Sequence, residues 1–282
     1  MTELNEKLTG LVSLVKLQNV AVLLLAQLLT ARFVFAPGVS FKTLLFGRRF
    51  VFMLLATGSA IAAGYIINHF YNLKRDWINR PRQSMMERQL SMSKKLYLYF
   101  ALNALTLVFA AFISWRAVLF FAVYEFLIWL YFHKIQPLPF WHELTLAFLT
   151  VYPFFGVMLF FKSFNRFVLW AGILFVLLIL LKEIIKNHLT LRGDVAQNIH
   201  TVLVAKGEKF QQRMFYFLVF FIFLMLIGAF RMKFSPEFTY FIYAVFVMLT
   251  AEIVLYMKKK YAAAYAVVKM IIISGVFALF LL

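Results

Sequence analysis

The sequence predicts an all-α polytopic membrane protein with nine transmembrane helices, and two observations carry that expectation. Of 282 residues, 64% are hydrophobic and only 14% charged, with a mean hydropathy of +0.87. A water-soluble domain is nearer half apolar and a quarter charged. The apolar residues also fall into runs that cross a hydrocarbon core, a length of about 20 helical residues. Backbone in lipid must satisfy its own hydrogen bonds, and runs this long, apolar on all sides, do so as helices rather than strands.

Nine runs qualify, at roughly 12–34, 50–72, 95–114, 116–133, 142–161, 166–186, 211–230, 237–257 and 262–282. The first follows a polar start, Thr2-Glu3-Leu4-Asn5-Glu6-Lys7, without the marks of a cleaved signal peptide. The third and fourth are joined tightly around Ser114-Trp115-Arg116 and therefore form a hairpin. No low-complexity linker or soluble domain interrupts the series. A single membrane domain over 1–282 is expected, with pseudo-repeat halves at 12–133 and 142–257 and a last helix at 262–282.

The net charge is +18, yet the lysines and arginines lie between the apolar runs. In that arrangement they set topology and meet lipid headgroups, so membrane lipids are expected partners and nucleic acid is not. The side bearing the amino terminus has nineteen basic residues against nine on the other, with Lys269 inside the last span. The positive-inside rule puts the amino terminus in the cytoplasm and the carboxyl terminus in the periplasm, a pattern suited to a bacterial inner membrane. Cysteine is absent, which excludes disulfides and thiolate metal sites.

Two polar stretches carry chemistry. The second run ends in Ala62-Ala63-Gly64-Tyr65-Ile66-Ile67-Asn68 and continues through Asp76 to Ile78-Asn79-Arg80-Pro81. Asn68, Asn72 and Asp76, four apart, share one helix face. The sixth run ends in Lys182-Glu183-Ile184-Ile185-Lys186, then Gly193-Asp194, and Lys182, Lys186, Thr190 and Asp194 again repeat every four residues. Both runs travel the same way across the membrane, so both clusters reach one cytoplasmic mouth.

These two stretches, with Thr201-Val202-Leu203 beyond the second, resemble the paired motifs of the UbiA superfamily of intramembrane prenyltransferases. The resemblance covers nearly the whole chain and is nearest to members that prenylate geranylgeranylglyceryl phosphate. It implies a UbiA-like fold and two aspartate-rich motifs that hold Mg²⁺ against a polyprenyl diphosphate. Aspartates would then stand at 69, 72, 76, 187, 190 and 194, where this chain has His69, Asn72, Asp76, Asn187, Thr190 and Asp194. Asp76 and Asp194 are the only aspartates in the chain.

Asp76 and Asp194 are accordingly the candidate metal ligands, for one Mg²⁺ or none. Asn19, Asn68, Asn72, Arg75, Lys182, Lys186, Asn187 and Arg192 are the candidate substrate-binding residues. Mg²⁺ favours carboxylate and phosphate oxygens, so neutral replacements and a histidine weaken the site. Three readings follow. One is a catalytically degenerate protein that binds an isoprenoid or other anionic lipid, with a membrane protein as partner. The second is an active prenyltransferase using one Mg²⁺ or none, acting on a polyprenyl diphosphate and a lipid or aromatic acceptor. The third is an anionic-lipid transporter. His69 and His188 are expected to make hydrogen bonds rather than a metal pair. Glu125 and Lys269 are candidates for an intramembrane ion pair, and Glu252 for snorkelling or pairing with Lys258.

Overall fold

A computed structural model describes residues 2–88, 90–232 and 234–282, with side chains from Thr9 onward. Among the described residues it is entirely helical. In chain order the α-helices are α1 (Thr2–Val15), α2 (Leu17–Thr30), α3 (Phe41–Phe46), α4 (Arg48–Tyr71), α5 (Leu73–Asn79), α6 (Pro81–Glu87), α7 (Met92–Ala111) and α8 (Trp115–Leu130). They continue as α9 (Trp141–Val151), α10 (Gly156–Phe161), α11 (Arg166–Ala196), α12 (Val202–Lys206), α13 (Glu208–Ala229), α14 (Pro236–Met257) and α15 (Tyr261–Phe277).

Helix starts follow side-chain chemistry. Ser91, Ser114, Thr201 and Ser235 each accept a backbone N–H two or three positions into the helix they precede, and Asn165 accepts two. Proline opens α6 and α14, where its missing N–H costs nothing.

Among the described residues eight segments are long and apolar enough to span a membrane, against the nine predicted. The remaining one is α7, a 20-residue helix in the expected place, whose start carries Lys94 and Lys95. Two boundaries moved. The first run breaks at Lys16, which takes a left-handed conformation (φ 50°), so residues 12–15 belong to α1 and the span begins at Leu17. The sixth helix runs ten residues beyond its predicted end, to Ala196, and carries its polar motif as continuous helix.

Helix α11 is the axis of one apolar cluster, where Leu178, Leu181, Ile184 and Ile185 pack with α2, α9, α13, α14 and α15. A second cluster joins α4 to α7 and α8 through Ala56, Ala60, Ala110 and Ala117, and takes in Leu149 of α9. Small residues let helices approach closely where lipid supplies no hydrophobic drive between them. Within the membrane, Gln27 donates to Thr57 Oγ1 (3.1 Å) and to the Pro153 carbonyl (2.6 Å), tying α2 and α4 to the 3₁₀ turn Tyr152–Phe155. Proline interrupts the helix there, and Gln27 satisfies a carbonyl within it.

The short helix α5 lies against the carboxyl-terminal end of α11. Contact is close because Gly193 has no side chain: a Cβ there would meet Asn79 Nδ2 at 2.3 Å and the Arg75 carbonyl at 2.8 Å. One of those atoms is backbone and cannot swing aside. Gly193→Ala is expected to cost about 1–3 kcal/mol of stability, the usual range for overpacking. A thermal unfolding midpoint in detergent equal to that of the parent chain would refute this close approach.

Candidate anion-binding site

The site is assembled from the ends of α4 and α5, from the last third of α11, and from the break between α1 and α2. Asn72 donates from Nδ2 to Asn68 Oδ1 (2.8 Å) and its own Oδ1 accepts from Gln136 Nε2 (2.8 Å). One turn on, Asp76 Oδ1 lies 2.7 Å from Arg80 Nη2. From α11, Glu183 is held between Lys182 (3.1 Å) and Lys186 (2.6 Å). Asp194, with no exposed surface, lies 2.6 Å from Arg75 Nε, an ion pair by distance, and its Oδ2 accepts from Thr190 Oγ1 at 2.7 Å. Gln197 fixes the start of α5, accepting from Arg75 N (2.6 Å) and donating to the Tyr71 carbonyl.

The α1–α2 break completes the mouth. Asn19 Nδ2 donates to Tyr65 OH (2.9 Å), and the Lys16 ammonium stands 5.0 Å from the centre of the same ring. A non-glycine residue in the left-handed region costs about 1–2 kcal/mol. Here that conformation turns Lys16 into the field of Arg80, Lys186 and Asp76. Burial first, then Arg80 and Lys186, lower the Lys16 ammonium to about 8. Five cations (Lys16, Arg75, Arg80, Lys182, Lys186) thus face three carboxylates (Asp76, Asp194, Glu183), all three already in ion pairs. The surplus is positive.

A magnesium ion does not fit this donor set. Each aspartate lies against an arginine, and His69 and Asn187 meet partners of their own. His69 is buried with Nδ1 2.9 Å from Glu87 Oε2 and Nε2 2.9 Å from Lys95 Nζ. Both ring nitrogens are therefore turned to partners on α6 and α7. Asn187 donates to Glu143 Oε1 (2.9 Å), which also takes the Val202 N–H (2.7 Å). Among the described residues no group of three His, Cys, Asp or Glu side chains is arranged to hold a metal.

Of the predicted site residues, the structure brings together Asn19, Asn68, Asn72, Arg75, Asp76, Lys182, Lys186 and Asp194. Asn187 lies buried against Glu143, and Arg192 is exposed on α11 without a described partner in the site. His188 stacks on Tyr261 (3.8 Å) and meets Tyr256 OH (3.2 Å), so it makes hydrogen-bond and ring contacts apart from His69. Lys269 is exposed beside Tyr265, and the ion pairs among described residues do not join it to Glu125. Glu252 is fully buried with neither oxygen hydrogen-bonded, rather than snorkelling. Sequence reasoning missed Tyr65 and Glu143 as site residues. Tyr65 was legible, since it continues the Asn68, Asn72, Asp76 face one turn earlier; Glu143 was not, because only the fold sets it behind Asn187.

Fold and site together define an all-helical integral membrane protein with a cationic polar mouth between two helix clusters. The chain belongs to the UbiA prenyltransferase family, whose pattern it matches over residues 22–278. It is 32% identical over 154 residues to digeranylgeranylglyceryl phosphate synthase of Pyrococcus furiosus, covering 52% of this chain and 53% of that one. With the Methanobrevibacter smithii synthase it shares 25% identity over 210 residues, 70% and 69% of the two chains. The chain spans about half the length of the first of these relatives. Among solved structures, a UbiA homologue from Aeropyrum pernix superimposes with a TM-score of 0.72 at 14% identity, covering 94% of this chain and 98% of that one. One from Archaeoglobus fulgidus, bound to DMAPP and Mg²⁺, gives 0.64 at 16% identity over 96% and 98%. These structures share the fold.

The Asn187–Glu143 contact generates a test of the altered motif. Asn187→Asp sets two carboxylates at hydrogen-bond distance in a buried site, and a destabilisation of about 2–4 kcal/mol is expected. Glu143→Gln in the same chain restores a donor and recovers most of the loss. A single variant as stable as the parent in denaturant unfolding would contradict the arrangement.

Proposed function

We propose that this chain binds the diphosphate or phosphate headgroup of an isoprenoid or other anionic lipid through its own cations, without Mg²⁺, and has lost prenyl transfer. The observation that carries this reading is the capture of both aspartates by arginines: Asp194 by Arg75 at 2.6 Å and Asp76 by Arg80 at 2.7 Å. Lys16, Lys182 and Lys186 then offer charge-assisted hydrogen bonds to phosphate oxygens, with Asn19 and Asn68 as neutral donors beside them and Asn72, buried and donating to Asn68, positioning the latter. A leaving diphosphate needs its developing charge stabilised beyond what it has in the bound state. Cations already shared with carboxylates supply less of that stabilisation. On this reading the protein is a lipid-holding subunit of a membrane assembly, with the mouth and the amino terminus on the cytoplasmic side.

The alternative of an active transferase is favoured by one specific finding: the relatives of similar sequence are named as synthases. A sign separates the two readings. If cations alone hold the anion, Asp76→Asn frees Arg80 and tightens binding of geranylgeranyl diphosphate about threefold, because one charge-assisted hydrogen bond is released to the ligand. Affinity in that case is the same in excess Mg²⁺ and in EDTA. If Asp76 holds a metal, the same substitution weakens binding, EDTA abolishes it, and prenyl transfer accompanies it.

Lys16 gives the site a pH signature. Its ammonium sits at about 8 in the free protein, and a bound anion raises that value, so binding above pH 8 takes up a proton. Diphosphate affinity is therefore expected to fall between pH 7 and 9, approaching about tenfold per pH unit above 8. Lys16→Gln removes this dependence, and a flat profile in the parent chain would place Lys16 outside the binding site.

A further inference from the structure

The short helices α5 and α6 are built inside out. Their buried positions are polar: Arg75, Asp76, Ser84 and Glu87 are each 9% exposed or less. Their outward positions are apolar: Leu73, Trp77, Ile78, Met85 and Met86 are 37–54% exposed. A helix facing water shows the opposite pattern, so this face requires an apolar covering. The charges sort in the same sense. Both acids between residues 73 and 94 are turned inward, Asp76 to Arg80 and Glu87 to His69, while Lys74, Arg82, Arg88 and Lys94 are exposed.

The face is also held rigidly in place. Glu87 lies at the end of a buried chain that runs through His69 to Lys95 and also accepts from Ser13 Oγ at 3.3 Å, binding α6 to α1, α4 and α7. The Arg88 guanidinium covers the Trp77 ring at 4.1 Å, joining the far end of α6 to α5. Two tethers fix its distance from the bilayer. Helix α5 follows directly from the span that ends at Tyr71, and α7 leaves from Met92.

We propose that the outer face of α5 and α6 is an interfacial surface embedded in the headgroup layer of its own leaflet and selective for anionic phospholipid. The apolar side chains enter the acyl boundary, and Lys74, Arg82, Arg88 and Lys94 meet the phosphates. A mixture of tryptophan, methionine and exposed cations, with no exposed acid on α5 or α6 among the described residues, matches that layer in both polarity and charge. A protein partner would be expected to bring acids against these cations and to leave the face in water when absent.

The chain has no cysteine, so Met85→Cys carries a single environment-sensitive NBD fluorophore. The full chain is placed in nanodiscs of phosphatidylcholine alone and with phosphatidylglycerol added. The expected result is quenching by lipid-borne nitroxide and protection from aqueous iodide, both stronger with the anionic lipid. A probe open to iodide and untouched by the lipid quencher in both compositions overturns the proposal and leaves the face to a protein partner. In a second arm Lys74, Arg82, Arg88 and Lys94 are all changed to glutamine. Phosphatidylglycerol retained through detergent purification, measured by mass spectrometry against phosphatidylcholine, should fall at least about tenfold. Equal retention by the parent and the quadruple variant also overturns it.

Discussion

The ion pair between Arg75 and Asp194 is the constraint on which the rest of the mouth depends. It joins α5, the extension of one helix cluster, to α11, the axis of the other, at a point with no exposed surface on the aspartate. A buried charge is tolerated only when paired and hydrogen-bonded, and removing one partner of such a pair costs about 3–5 kcal/mol. Thr190, which accepts from Arg75 Nη2, and Gln197 and Asn79 each add a contact across the same junction, and Gly193 allows the backbones to meet. The position of Asp76, and through it Arg80, follows from the seating of α5.

That junction decides what chemistry the mouth favours. A carboxylate whose charge is set against a guanidinium offers less to a divalent cation. The same guanidinium still has donors to spare for an anion. The other altered positions are consistent with this. His69 is the centre of a latch between Glu87 and Lys95, and Asn187 is a donor to Glu143. Each replacement has a partner suited to it, and an aspartate in either place would face a glutamate.

The latch also links the mouth to the membrane surface. Because His69 sits one turn before Asn72, the residues that hold α6 in place lie on the helix that presents the asparagine face. Ordering of the outer loop and ordering of the mouth share one helix end. A headgroup layer that holds the loop thereby also limits the motion of α5, and the lipid environment becomes part of the site's structure.

Much of this was legible in the residues alone. Nine apolar segments and their order follow from length and hydropathy, since lipid leaves a spanning backbone no choice but the helix. The polar faces at 68–76 and 182–194 follow from the four-residue period, and the missing carboxylates from the two-aspartate count. The break at Lys16 was not legible. Leu14 and Val15 continue the apolar run into Leu17, and only tertiary contacts at the mouth stabilise a left-handed lysine against its intrinsic cost. The partners of Asp76, Asp194, His69 and Asn187 were also beyond reach, because three of the four bonds cross between segments far apart in sequence. Sequence determined which charges the chain has and which helix face each occupies. Tertiary structure alone decided which opposite charge each one meets, and so whether a carboxylate remains free for a metal or is committed to an arginine.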